Sequence, residues 1–318
     1  LQVVFAWIMM ISYTLYLIIH IKGFGLVASV LFDIPYKVAT LMIYLFILYS
    51  AFGGFRAVAR IHVMHVLLLT AGTALAFLLV VGRAGGLPEL FRRAGQVSGF
   101  AYAGSAAANR PGDLFQLFNG EKFTPRISTT MFFGWGLGLA ANPQYMVRLL
   151  SARDKRTARH TVLSALCYLV VFYFALLTIG LGMRALFPSL GEVQHADDVV
   201  VYVFNNPLYT PLNTLFLFAI LGACISTSNS QLLLFSTSFA YDFVRPLLKK
   251  PPREYTMILL TRAGVLLGGT LSLLFSTHPP DSLLSYGGDI WGVFGVTFFP
   301  ALYGTFLYKK ATRQGVWA

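Results

Sequence analysis

Charged side chains are scarce in this sequence: Asp, Glu, Lys and Arg together make up 11% of its 318 residues, where a soluble domain carries about a quarter. A water-soluble fold of this length would lack the polar surface to cover itself. Cysteine is limited to Cys167 and Cys224, each inside an apolar run, which argues against a disulfide framework. No basic n-region or cleavable signal peptide is present; the chain opens inside an apolar stretch at Leu1 without an initiator Met, so an incomplete chain is expected. Enzyme signatures are missing too. There is no nucleotide-binding glycine loop, no GxSxG, no HExxH and no carboxylate pair at a plausible spacing. The expectation is a protein that is not an enzyme and uses no organic cofactor.

What is present is apolar. Hydrophobic residues make up 57% of the chain and the mean hydropathy is +0.69. The runs Val38–Phe52, Val63–Gly82, Thr161–Met183 and Met257–Phe275 approach or reach the roughly 17–25 residues that cross a bilayer. They are apolar on nearly all faces, unlike the alternating strands of a membrane barrel. An all-α integral membrane protein with about eight spans is expected, at 3–32, 38–53, 62–82, 128–147, 161–187, 209–241, 257–276 and 284–308. Gly- and Pro-bearing breaks separate many of them, among them Asp33-Ile34-Pro35, Gly85-Gly86 and Phe187-Pro188. The longest connection, Arg83–Ile127, is polar and rich in Gly and Ala, with room for short helices.

The net charge of +12 reads as basic loops facing the cytoplasm rather than as a nucleic-acid surface. Fourteen of the 24 Lys and Arg residues lie in four short segments: Arg56 and Arg60, Arg148–Arg159, Arg245–Arg253, and Lys309–Arg313. The opposite set sits mostly in one long loop, which counts little in setting topology. The spacing therefore predicts a multi-pass protein of the cell inner (plasma) membrane with both ends of the chain on the cytoplasmic side.

The densest polar feature is Ser226-Thr227-Ser228-Asn229-Ser230-Gln231, six consecutive polar residues midway along a long apolar helix. Such a run must be buried among helices or line a cavity. Ala223, Ser226, Thr227 and Ser230 share one helical face, where two hydroxyls beside a small residue offer oxygens to a hard cation. The competing reading is hydroxyl-to-backbone bonding and interhelix glue. A second feature is Gly134-Trp135-Gly136-Leu137-Gly138-Leu139-Ala140-Ala141-Asn142-Pro143. Alternating glycines followed by Asn-Pro predict a helix broken or kinked at mid-membrane, as in secondary transporters, although a glycine packing face with a proline kink fits the same letters. Isolated ionisable residues come third. His20 and Lys22 fall inside the first span and Asp289 early in the last, depths at which charges pair or line an aqueous path. His62 and His65 open the third span, where they read as interfacial histidines or a proton relay.

Several segments, in order and at matching spacing along nearly the whole chain, resemble the sodium/solute symporter family, which contains the bacterial proline, pantothenate and sodium/glucose carriers. They are Leu48–Val58 (LYSAFGGFRAV), Gly134–Gly138 with Asn142-Pro143 and Arg148, the polar run continued to Asp242, and Tyr303–Gly315. The resemblance implies a leucine-transporter-type inverted-repeat fold, a fold used as a standing example of such repeats. This chain would supply core helices 3 to 10, partial in the sense that core helices 1 and 2 precede Leu1 and further helices follow Ala318. Residues 1–82 would end the first repeat, 83–127 form an external loop and 128–308 the second repeat, all in one transmembrane domain. It also implies a sodium site at the Ala223 carbonyl, Ser226 and Thr227, with the other ligands on core helix 1. Trp135, Leu139 and Asn142 match substrate-facing positions, and Lys22 and Asp289 join them as substrate candidates from their depth alone. His62 replaces an acidic residue that some relatives use at an additional sodium site, which favours one sodium per cycle. The expected partners are a small solute, sodium ion and the lipid bilayer. Lys22 leans the solute towards a carboxylate. Proton coupling through Lys22, His62 or Asp289, or a transporter-like sensor domain, are the alternatives.

Overall fold

The computed structural model describes residues 2–51, 54–105, 107–118, 123–250, 252–277, 282–310, 312, 314 and 315, with the backbone alone described at 50, 51 and 54–58. Most of the Leu48–Val58 motif and part of Tyr303–Gly315 therefore lie outside the described residues. The apolar runs become helices wherever turn residues release them. Helix α1 (Gln2–Leu31) turns through Asp33, at φ 51°, and Pro35 into α2 (Tyr36–Ala51). Helix α3 (Gly54–Ala84) stops at Gly85 and Gly86, whose φ values of 88° and 106° suit a left-handed cap that residues with a Cβ resist. Short α4 (Leu87–Gln96) and a 3₁₀ turn at Asp113–Phe115 occupy the long connection, as its length allowed. Helices α5 (Pro125–Ala141) and α6 (Pro143–Leu150) follow, then α7 (Lys155–Leu186), whose N-cap Asp154 accepts from the Thr157 amide. A 3₁₀ turn (Ala196–Asp198) leads into α8 (Val199–Asn205). Helix α9 (Thr214–Thr237) passes through a π-helical stretch, Ser238–Val244, into α10 (Arg245–Leu247), and α11 (Glu254–Phe275) and α12 (Leu283–Leu307) complete the chain.

The eight expected spans all appear as helices. Six described helical segments are long and apolar enough to cross a membrane, the Tyr36–Tyr49 stretch of α2 is a shorter apolar helix, and α5 with α6 makes the broken eighth. Several boundaries move. The third helix begins at Gly54 rather than 62, while its apolar, span-length stretch runs from Ala59 to Ala84, so His62 and His65 lie near the start of that stretch. The sixth begins at Thr214 rather than 209, because Thr210–Asn213 form a turn. The broken span extends from 125 to 150 rather than 128 to 147.

Helix α9 is the hub, packed on α3, α1, α11 and α2. Small residues make the close approaches: a Cβ on Gly72 would lie 2.9 Å from that of Ala219, and one on Gly264 would lie 2.9 Å from the Ser236 backbone. Lipid tails compete for apolar side chains, so close backbone packing carries helix association in a bilayer. The buried cluster runs through Leu17, Ile21, Ile43, Phe204, Leu217 and Leu232. Val170, Val171 and Leu177 of α7 point outward, 60–72% exposed, as a lipid-facing surface does. Helices α5 and α12 form their own tight pair at Gly138 and Gly295.

Candidate functional site at the helix break

Asn142 both ends one helix and starts the next. A residue before proline is driven out of the helical region, and Asn142 sits at φ −64°, ψ 121°. Proline at the first position of a new helix costs no hydrogen bond. The Asn142 Oδ1 atom then accepts from the Gln144 amide at 2.9 Å, capping α6. The Tyr13 hydroxyl of α1 donates to the same Oδ1 at 2.9 Å, and the Gln144 amide also reaches the Tyr13 oxygen at 3.1 Å. At the other side of the break, the Ala140 carbonyl freed by the end of α5 accepts from the Tyr303 hydroxyl of α12 at 3.2 Å. Both ends of the break thus find partners outside their own helix, as buried helix ends require. Asn142 is fully buried. Asn142→Ala removes the cap, worth about 1 kcal/mol, and strands the Tyr13 hydroxyl, which costs about 1–3 kcal/mol more. The expected result is a lower melting temperature of the purified full-length protein, largely restored by Asn142→Asp, which keeps the acceptor.

The polar run of α9 divides by face. Ser228, Asn229 and Gln231 are fully buried and Ser230 is 7% exposed, whereas Ala223, Ser226 and Thr227 are half-buried. The Ser226 hydroxyl donates to the Ala223 carbonyl at 3.0 Å, which leaves the lone pairs of its own oxygen available. Hydroxyl-to-carbonyl bonding recurs further along: Ser236 and Thr237 both bond the Leu233 carbonyl, at 2.8 and 3.0 Å. The helix widens into its π-helical stretch at the next residue. Competition by side-chain hydroxyls for backbone acceptors is a recognised cause of such distortions.

His62 ties α3 to this run. Its Nε2 lies 2.7 Å from the Ser226 carbonyl, and Arg148 of α6 donates to its Nδ1 at 3.1 Å and to the Ser230 hydroxyl at 3.1 Å. A guanidinium can only donate and a carbonyl can only accept. These partners select a neutral imidazole with its proton on Nε2.

Trp135 stacks on Trp291 of α12, with ring centroids 5.8 Å apart and planes 5° from parallel, and Tyr16 and Tyr145 approach Trp291 at 5.9 and 6.0 Å. The Trp135 indole nitrogen is buried and has no hydrogen-bond partner among the described residues. Leu139 is 42% exposed. Lys22 forms an ion pair with Asp197, Nζ to Oδ2 at 2.7 Å, and that same oxygen accepts from the Leu283 amide at the start of α12. Asp289 is exposed on α12. The structure therefore gathers Asn142 with Tyr13 and Gln144, and Trp135 with Trp291. It gives Lys22 a carboxylate partner and leaves Asp289 on the outside. Tyr13, Asp197 and Trp291 carried no local signal; each acquires its role across a large sequence separation.

A helical core with a broken helix beside a hydroxyl-rich one defines a secondary-transporter class of fold. The sequence model of the sodium:solute symporter family matches residues 1–318, and the chain belongs to that family. It is 25% identical over 320 residues to the osmoregulated proline transporter OpuE of Bacillus subtilis, covering 100% of this chain and 62% of that protein. It is also 25% identical over 321 residues to a sodium/proline symporter of Staphylococcus aureus, covering 99% and 59%. The chain thus spans about three-fifths of the length of these relatives. Among solved structures, a substrate-bound, outward-open Na+-coupled sialic acid symporter superposes with a TM-score of 0.73 at 18% identity, covering 95% of this chain and 63% of that one. The fold is accordingly the leucine-transporter-type helical fold expected from the resemblance.

Proposed function

We propose that this chain handles both ions and solute in a sodium-coupled symporter that brings a small organic solute into the cytoplasm by alternating access. The carrying observation is the break at Asn142, held by Tyr13 and Tyr303, with α6 joined to the hydroxyl-rich α9 through Arg148 and Ser230. The Ala223 carbonyl and the Ser226 and Thr227 hydroxyls are the sodium ligands of this reading, with the rest of the shell on helices that the resemblance places before Leu1. Trp135, Leu139 and Asn142 contact the solute. Lys22 and Asp289 contribute at the outer end, Lys22 through its pair with Asp197. The basic segments, Arg148–Arg159 among them, face the cytoplasm, and the membrane is the plasma membrane. Two relatives are named as proline transporters, which makes L-proline the first solute to test.

The full-length protein in proteoliposomes is expected to accumulate solute with sodium outside and to lose that uptake when choline or potassium replaces it. Uptake that ignores sodium and follows pH would sink this reading in favour of proton coupling. The neutral imidazole of His62, held between a carbonyl and a guanidinium, offers no anionic oxygen to a second cation. Uptake against sodium concentration should therefore give a Hill coefficient of about one; a value near two would restore an additional site.

A further inference from the structure

Between α3, α6 and α9 lies a cavity of about 470 Å³, within the size range of small-molecule sites. Its walls include Ala59, Val147, Leu233 and Leu234, and its polar groups include Gln144, Arg148, Ser230 and Thr237. Gln144 is only 6% exposed, and its Oε1 has no hydrogen-bond partner among the described residues. Among the described residues the single cation lining the cavity is Arg148, whose hydrogen bonds go to a neutral imidazole and a hydroxyl. No ion pair among the described residues involves it; the described pairs join Lys22 to Asp197, and Arg92 and Arg93 to Glu89. A guanidinium fixed by two neutral acceptors keeps its charge uncompensated and its remaining donors available. In an apolar-walled space such a group attracts carboxylates strongly.

We propose that this cavity is a release-side subsite for a carboxylate-bearing solute with an apolar body, in which Arg148 receives the carboxylate and Val147, Leu233 and Leu234 cover the rest. The inference deepens the transport reading above and takes its orientation from it: the solute would pause here on its way to the cytoplasm. It also reassigns the carboxylate preference. Lys22 suggested that preference from sequence, but its charge is met by Asp197, whereas Arg148 faces open space. His62 positions the guanidinium and joins it to the Ser226 carbonyl, so the solute's exit route and the sodium-ligand segment share one hydrogen-bonded chain.

The test uses the full-length protein in inside-out membrane vesicles, with cysteines replaced and Thr237→Cys introduced as a reporter. With each rate divided by that reagent's rate with a free small thiol, a small anionic methanethiosulfonate (sulfonatoethyl) should modify this thiol at least about tenfold faster than a cationic one (trimethylammonioethyl), since a focused field raises local counter-ion concentration by that order or more. Arg148→Gln should bring the ratio to about one, and Arg148→Lys should retain most of it. Hexanoate should slow modification while hexanamide does not. The proposal is overturned if the thiol is unreactive from the cytoplasmic side, if the charge preference survives Arg148→Gln, or if hexanoate and hexanamide protect equally. Should the Gln variant fail to reach the membrane, the hexanoate and hexanamide comparison decides alone. None of these readouts needs sodium or net uptake, so they separate failure of the subsite from failure of the sodium-symport reading.

Discussion

Removing the Ser226 and Thr227 hydroxyls together will raise the sodium concentration for half-maximal uptake by about 100-fold or more, against about 10- to 100-fold for either alone. Each hydroxyl is assigned one oxygen contact to the ion, and losing a polar contact to a charged group costs about 1.5–3 kcal/mol, with 1.4 kcal/mol per tenfold in affinity. Neighbouring ligands are coupled, so the double change should fall short of the product of the single ones. Ser228→Ala is the control. Its hydroxyl is fully buried on another face of α9 and has no partner among the described residues, so sodium dependence should stay where it was. An unchanged sodium requirement in the double variant would make the two hydroxyls structural, in the way Ser236 and Thr237 are.

Gly138→Ala will destabilise the protein far more than its size suggests, and Gly136→Ala, on the opposite face of α5, will not. A Cβ on Gly138 would lie 2.9 Å from the Trp291 carbonyl carbon and closer still to its oxygen. That is backbone, which cannot swing aside, so α5 and α12 would have to separate. Overpacking of this kind costs about 1–3 kcal/mol, or a drop of roughly 5–10 °C in apparent melting temperature at a few degrees per kcal/mol. A Cβ on Gly136 meets nothing within 4 Å, and alanine is the better helix former by about 1 kcal/mol. Because the Trp135–Trp291 stack rides on the same helix pair, solute uptake should fall in Gly138→Ala even where the protein still reaches the membrane. Thermal unfolding and uptake on the same preparations distinguish the two losses.

The helices were legible because their signal is local: apolar run length, Gly-Gly at 85–86, and Asn-Pro at 142–143 each act within a few residues. The break at Asn142 could be read to the residue, since proline constrains its neighbour and asparagine caps. Partners could not. Tyr13 is 129 residues from Asn142 in sequence and Asp197 is 175 from Lys22; no periodicity links them. Lys22 shows the cost of that blindness. Its depth called for either a charge partner or an aqueous path, and depth alone cannot reveal a carboxylate arriving from a distant loop.

Asp197 has a mechanical consequence. One carboxylate oxygen grips an ammonium on α1 and the first amide of α12, making a three-way clip from a side chain that belongs to neither helix. Any tilt of α12 away from α1 must either tear a largely desolvated ion pair or release the Leu283 amide from Asp197. The second course is cheaper, so the 187–213 connection should stay with α1, latched by Lys22, while the start of α12 swings free.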